Sequence, residues 1–179
     1  MRVIDLSALI ADGMAVYPGD PEVKVKVAHT YESHTWELRK LAMGSHTGTH
    51  VDAPSHMHAG AATLDELPAE RFFGPSRIVR IGESAWPEGR GLFFIESAGL
   101  ECYERLAALR PSFVGGELTE ELERALLGIN ILTYTGLQGL DRLPTNRDFI
   151  FYGFPLRIAG GDGSPVRAVA VIETEEEEE

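Results

Sequence analysis

The 179-residue chain contains a single cysteine, Cys102, so no intrachain disulfide can form. That fits a reducing compartment and points to the cytoplasm. Cys102 falls in a segment of helical spacing and reads as a small core residue rather than a nucleophile. No apolar run approaches the roughly 20 residues a membrane helix needs, and Met1-Arg2-Val3-Ile4-Asp5 lacks a signal-peptide pattern. A basic surplus is also missing, because the formal net charge is −12. This argues against nucleic-acid binding through a phosphate-neutralising patch. Part of the charge is local: residues 173–179 carry six glutamates, without which the body stands at about −6. Such a run reads as a solvated, disordered tail, leaving residues 1–172 as one domain with no repeat and no linker. The length and the 44% apolar content suit a single core.

Histidine is also absent after His58, and four of the six histidines crowd into one stretch, Gly44-Ser45-His46-Thr47-Gly48-Thr49-His50-Val51-Asp52-Ala53-Pro54-Ser55-His56-Met57-His58. The spacing of His46 and His50 would put both rings on one helix face, but Thr47-Gly48-Thr49 has low helix propensity and Pro54 disfavours helix at Ala53. The segment is therefore expected to be extended or irregular. In an extended chain His46, Gly48, His50, Asp52, Pro54 and His56 tend toward one side, and Gly48 leaves room for an ion or substrate near the backbone. Two imidazoles and a carboxylate suit zinc, manganese or iron(II) better than calcium or magnesium. Three protein ligands with open positions make a catalytic metal site, at which water is activated at neutral pH. His56 is then a fourth ligand or a general acid and base, and His58 is a spare.

The run H-T-G-T-H-V-D-A-P-S-H resembles the H-x-G-T-H-x-D-x-P-x-H signature of the cyclase family of metal-dependent hydrolases, which includes bacterial kynurenine formamidase and isatin hydrolase. The resemblance implies that His46, His50 and Asp52 hold the metal and that His56 is the catalytic acid/base. It also implies a swivelling β/β/α type of fold and a homo-oligomer, dimer or tetramer. It extends to the turn Tyr17-Pro18-Gly19-Asp20-Pro21 and to the C-terminal F-P-L-x-I and G-D-G-S-P segments.

The remaining pattern is mixed α/β. Strands are expected at Val3–Ser7, Val23–Val27, Trp36–Met43, Ser76–Ile81, Leu92–Ile95, Ser112–Gly115, Ile129–Tyr134, Phe149–Ile158 and Val166–Ile172, the last two as a hairpin across the turn Gly160–Pro165. Helices are expected at about Ala98–Leu109 and at Glu120–Leu127, the second capped by Thr119 and stopped by Gly128. Tyr31–His34 reads as a loop. Tyr17 and Trp36 are the candidates for the wall of a substrate pocket.

Kynurenine formamidases, as the resemblance implies, hold a second metal with a histidine and a glutamate from the C-terminal half. Here Glu123 falls near the missing histidine and Tyr134-Thr135 near the glutamate. A single zinc or manganese on His46, His50 and Asp52 is therefore expected. Gln138 is a further candidate ligand, by likeness to isatin hydrolase, and Glu117 or Glu123 are candidates for a rebuilt second site. The expected function is hydrolysis of an amide, formamide, lactam or lactone in a small-molecule substrate. The alternative is a catalytically degenerate member that binds a metal or small molecule.

Overall fold

A computed structural model describes residues 1–173, so the tail expected at 173–179 lies, beyond Glu173, outside the described residues. The elements are β1 (Arg2–Asp5), β2 (Lys24–His29), α1 (Tyr31–His34), β3 (Leu38–Ala42), β4 (His50–Asp52), β5 (Phe73–Val79), β6 (Gly91–Ala98), α2 (Tyr103–Leu109), β7 (Phe113–Leu118), α3 (Glu120–Gly128), β8 (Leu132–Thr135), β9 (Phe149–Tyr152), β10 (Gly163–Pro165) and β11 (Val169–Ile172), with short 3₁₀ turns between them. Nine strands form one mixed sheet in the order β1-β11-β9-β5-β6-β7-β8-β4-β10, while β2 and β3 pair only with each other.

The middle of the sheet, β5-β6-β7-β8, is parallel. Parallel strands are covered on both faces and carry continuous apolar runs, and Leu92, Phe93 and Phe94 of β6 are all buried. Alternation sends Phe93 into a core with Phe113, Tyr134 and Phe151 on one face. Leu92 and Phe94 enter a second core on the other, with Leu106 of α2 and Leu122 and Leu126 of α3. At Phe or Leu positions of this kind, truncation to alanine costs about 2–5 kcal/mol.

Both long helices form near their expected places. The N-terminal boundary of α2 moves because β6 runs on to Ala98, paired with Leu118, and a 3₁₀ turn at Leu100–Cys102 precedes the helix. Its C-cap, Arg110, is left-handed at φ 48°, its N–H closing the last turn on the Leu106 carbonyl, and Pro111 after it cannot continue the helix. Thr119 caps α3, accepting from the Leu122 N–H at 3.3 Å. Gly128 is the last helical residue rather than the stop; the left-handed residue is Asn130, at φ 64°. The His58 ring stands 3.1 Å from where a Gly128 Cβ would be and its Nε2 bonds the Arg124 carbonyl at 2.7 Å, so His58 ties the loop after the motif to α3.

Two expectations are corrected. Tyr31–His34 is a single helical turn closed by a left-handed Thr35, not a loop. Gly160–Pro165 is more than a turn. The expected C-terminal hairpin exists, with Val169 opposite Tyr152, but its connection contributes β10, which lies at the sheet edge against β4. Pro165 is tolerated there because an edge strand has no ladder partner on one side.

Candidate metal centre and active site

The histidine-rich stretch folds as turn, strand and turn, so the period of two holds only for its middle. Gly48, at φ +64°, reverses the chain before β4. Thr47 Oγ1 donates to the Gly44 carbonyl at 2.9 Å and Thr49 Oγ1 to the Gly136 carbonyl at 2.6 Å, so both buried threonines satisfy the turn. His50 and Asp52 then share one face of β4, as alternation requires. Pro54 opens a 3₁₀ turn that brings His56 back until its ring centroid is 3.8 Å from that of His46.

β4 lies between β8 and β10, and register decides what surrounds the site. Thr135 is opposite His50, and Thr133 and Gly163 are opposite Asp52. Thr133 Oγ1 donates to Asp52 Oδ2 at 2.9 Å. His50 Nδ1 is 2.8 Å from the Gly48 carbonyl, which can only accept, so the proton is on Nδ1 and Nε2 keeps its lone pair toward the site. Thr135 Oγ1 donates to that lone pair at 2.9 Å. A Cβ on Gly163 would meet the His46 ring at 2.3 Å; glycine there lets the edge strand pass over the imidazole.

Asp162, just before β10, was not anticipated from sequence. Its Oδ2 is 3.0 Å from His46 Nε2 and 3.6 Å from His56 Nδ1, and its Oδ1 accepts from Ser45 Oγ at 2.9 Å. His46 Nδ1 is 2.7 Å from Asp52 Oδ1, so the imidazole is held between two carboxylates. Burial alone would lower the His46 pKa, but the bonds and charges of Asp52 and Asp162 carry it up to about 9. Burial would raise Asp52, yet the His46 bond, the charge of His46 and the Thr133 bond hold it below the usual carboxylate range. His56 moves down, through burial and the charge of His46.

This donor set fits a divalent metal. The nearest donor atoms of His46, His50 and Asp52 lie within 4.8 Å of one another, as do those of His46, His56 and Asp162. A buried carboxylate and a second one flanking it call for a positive centre, and without metal the proton on His46 provides it.

The site opens into a cavity of about 600 Å³ that Tyr17 and Glu123 also line. Glu123 faces it from α3, where burial and the charge of Asp52 push its pKa up to about 8. The other sequence candidates are elsewhere. Trp36 is exposed on the β2–β3 hairpin with its indole N–H donating to His29 Nδ1 at 2.8 Å, and is not among the cavity-lining residues. Gln138 is also exposed and outside the lining, its amide donating to the Gly136 carbonyl at 3.2 Å. Glu117 points away on β7 because Leu118 takes the cavity side. The signal for Thr133 and Thr135 was their alternation on β8 with buried Tyr134. For Asp162 there was only a carboxylate inside a glycine-rich cluster.

The profile of the Cyclase family matches residues 4–111. The chain belongs to this family of metal-dependent hydrolases, and its fold is the family's mixed α/β sheet. Among curated relatives, the kynurenine formamidase of Salinibacter ruber is 30% identical, covering 94% of this chain and 97% of that one. That of Paracidovorax citrulli is 28% identical over 92% and 94%. Among solved structures, an isatin hydrolase bound to the product analogue thioisatinate superposes with a TM-score of 0.81 at 17% identity, covering 97% and 93%. A potential metal-dependent hydrolase with cyclase activity gives 0.73 at 26% identity, covering 94% and 96%.

Proposed function

We propose that the chain hydrolyses the carbonyl–nitrogen bond of a small formamide, amide or lactam, or the matching lactone, with one zinc or manganese held by His46, His50 and Asp52. The observation that carries this is the convergence of those three donors within 4.8 Å, beside the His56 ring, at the base of a cavity. The names of the curated relatives put a formamide first among the substrates. When bound, the metal polarises the carbonyl and activates water.

The chain's own residues supply the proton transfers. His56, with its pKa lowered, is neutral at physiological pH and takes a proton from the attacking water as oxygen bonds to the carbonyl carbon. As the carbon–nitrogen bond breaks, His56 returns that proton to the leaving nitrogen, giving a carboxylic acid and an amine. Asp162, 3.6 Å from His56 Nδ1, orients that ring. Tyr17 at the cavity mouth and Glu123 on its wall contact the substrate. A homo-oligomeric assembly in the cytoplasm belongs to the same reading; among the described residues no helix is long and apolar enough to cross a membrane.

The test is His56→Ala with metal content and turnover of an N-formyl aromatic amine measured together. Retained metal with a rate loss of about 10²–10⁴ supports the acid/base role. Loss of both makes His56 a ligand, through the second cluster with His46 and Asp162. Stoichiometric metal in the wild type with no turnover of formamide, lactam or lactone would contradict hydrolysis and leave a metal-binding protein.

A further inference from the structure

The cavity over the candidate metal centre has two parts of different chemistry. The metal-ligating and proton-transfer residues form its base. The rest of its lining comes largely from two segments far apart in sequence, the turn at residues 17–20 and the first turns of α3. The Asp20 N–H closes that turn on the Tyr17 carbonyl at 3.0 Å, so one turn supplies both an aromatic ring and a carboxylate. On α3, Glu120, Glu123 and Arg124 have the i, i+3, i+4 spacing that shares a helix face, and all three line the cavity. Met57 and Leu118, both half-buried, add apolar wall.

Outside the metal centre the charge of this lining is one-sided. Asp20, Glu120 and Glu123 are set against a single cation, Arg124, and among the described residues no lysine lines the cavity. Arg124 is already engaged, its Nη2 donating to Glu120 Oε1 at 3.2 Å. Glu123 is acted on by the like charges of Asp52 and Glu120, and among the described residues its carboxyl group has no hydrogen bond and no ion pair. Carboxylates gathered without a counter-charge repel one another, and a bound cation relieves that repulsion. Tyr17, 69% exposed, offers a ring face to the same cation.

We infer that the substrate carries an ammonium or other cationic group at the end away from the scissile carbonyl, and no carboxylate there. The inference rests on the hydrolytic reading of the site and adds to it the charge of the substrate's non-reacting end. The scissile group sits beside His56 at the base, the apolar middle packs on Met57 and Leu118, and the cationic end meets Asp20, Glu120 and Glu123. The volume of about 600 Å³ suits a small molecule of this kind. A carboxylate at that end faces the same three acidic groups and gains a cation only by displacing Glu120 from Arg124.

Three formanilides that differ only in the para substituent test it on the metal-loaded enzyme: aminomethyl (cationic), methyl (neutral) and carboxymethyl (anionic). kcat/KM is expected to fall in that order, by about 100-fold from first to last at about 0.1 M salt and by about tenfold at about 1 M, where the Debye length is only about 3 Å. Glu123→Gln and, separately, Asp20→Asn/Glu120→Gln are expected to reduce the low-salt preference to about tenfold or less. Should a variant misfold, the salt dependence of the wild type still decides. Calorimetric binding of the cationic and neutral compounds separates the inference from the reading beneath it. If none of the three is hydrolysed, the hydrolytic reading fails, while binding of the cation about tenfold more tightly than the neutral compound still supports a cation-selecting cavity. Equal kcat/KM across the series, equal binding, a preference for the carboxylate, or a preference that neither salt nor the substitutions move would overturn the inference. So would a second metal per chain that Glu123→Gln removes, because the Glu123 charge would then belong to that metal.

Discussion

Asp162 lies 116 residues from His46 in sequence, yet its Oδ2 is 3.0 Å from His46 Nε2, opposite the nitrogen that faces Asp52. One imidazole thus joins the β4 side of the site to the loop before β10. Asp162→Asn keeps the shape and removes the charge. The expected result is a loss of metal affinity of about 10- to 100-fold, the range seen for partners that orient metal-ligating histidines, read by competition with a chelator. Unchanged affinity would detach Asp162 from the metal centre.

The same geometry makes metal binding compete with a proton. With its pKa at about 9 in the metal-free protein, His46 is protonated at neutral pH and must release that proton to ligate. Affinity should therefore rise by about tenfold per pH unit from pH 6.5 toward 9 and then level. Chelator competition across that range checks the slope, and a flat profile would mean that His46 is not a ligand.

Glu123 carries a different pH signature. Its folded pKa, about 8, is above its unfolded value, so the folded state binds more protons between the two and loses stability as pH rises through that window. Metal-free Glu123→Gln should match wild type near pH 5 and melt higher at pH 9. Each 1 kcal/mol gained is worth about 2–4 °C in a protein of this size. Equal melting temperatures at pH 9 would place the carboxyl in solvent.

Gly163→Ala tests how closely the edge strand covers the site. Its Cβ would lie 2.3 Å from the His46 ring, and either strand or imidazole must move. A destabilisation of about 1–3 kcal/mol, or a weakened metal site with stability kept, is expected. Calorimetry with and without metal distinguishes the two, and a neutral result in both would contradict the contact.

Much of the site was legible because its residues are close in sequence. His46, His50, Asp52 and His56 span 11 positions, and residue type, spacing and the helix-hostile Thr47-Gly48-Thr49 sufficed to bring them together. Central strands such as Leu92–Ile95 were legible for a related reason, since a short apolar run covered on both faces leaves few alternatives. What escaped depends on register between distant strands. Gly160–Pro165 has the composition of a turn, and only pairing with β4 makes part of it a strand and aims Asp162 inward. Trp36 was placed near the site because its strand leads into the motif; the strand instead leaves the body as a hairpin, whose pairing partner is itself.

The central claim is one divalent metal on His46, His50 and Asp52, and elemental analysis of untagged protein, wild type and His46→Ala, tests it most directly. About one zinc or manganese per wild-type chain and almost none in the variant is the expected result. A wild type that stays metal-free after reconstitution, or a variant that keeps its metal, would contradict it.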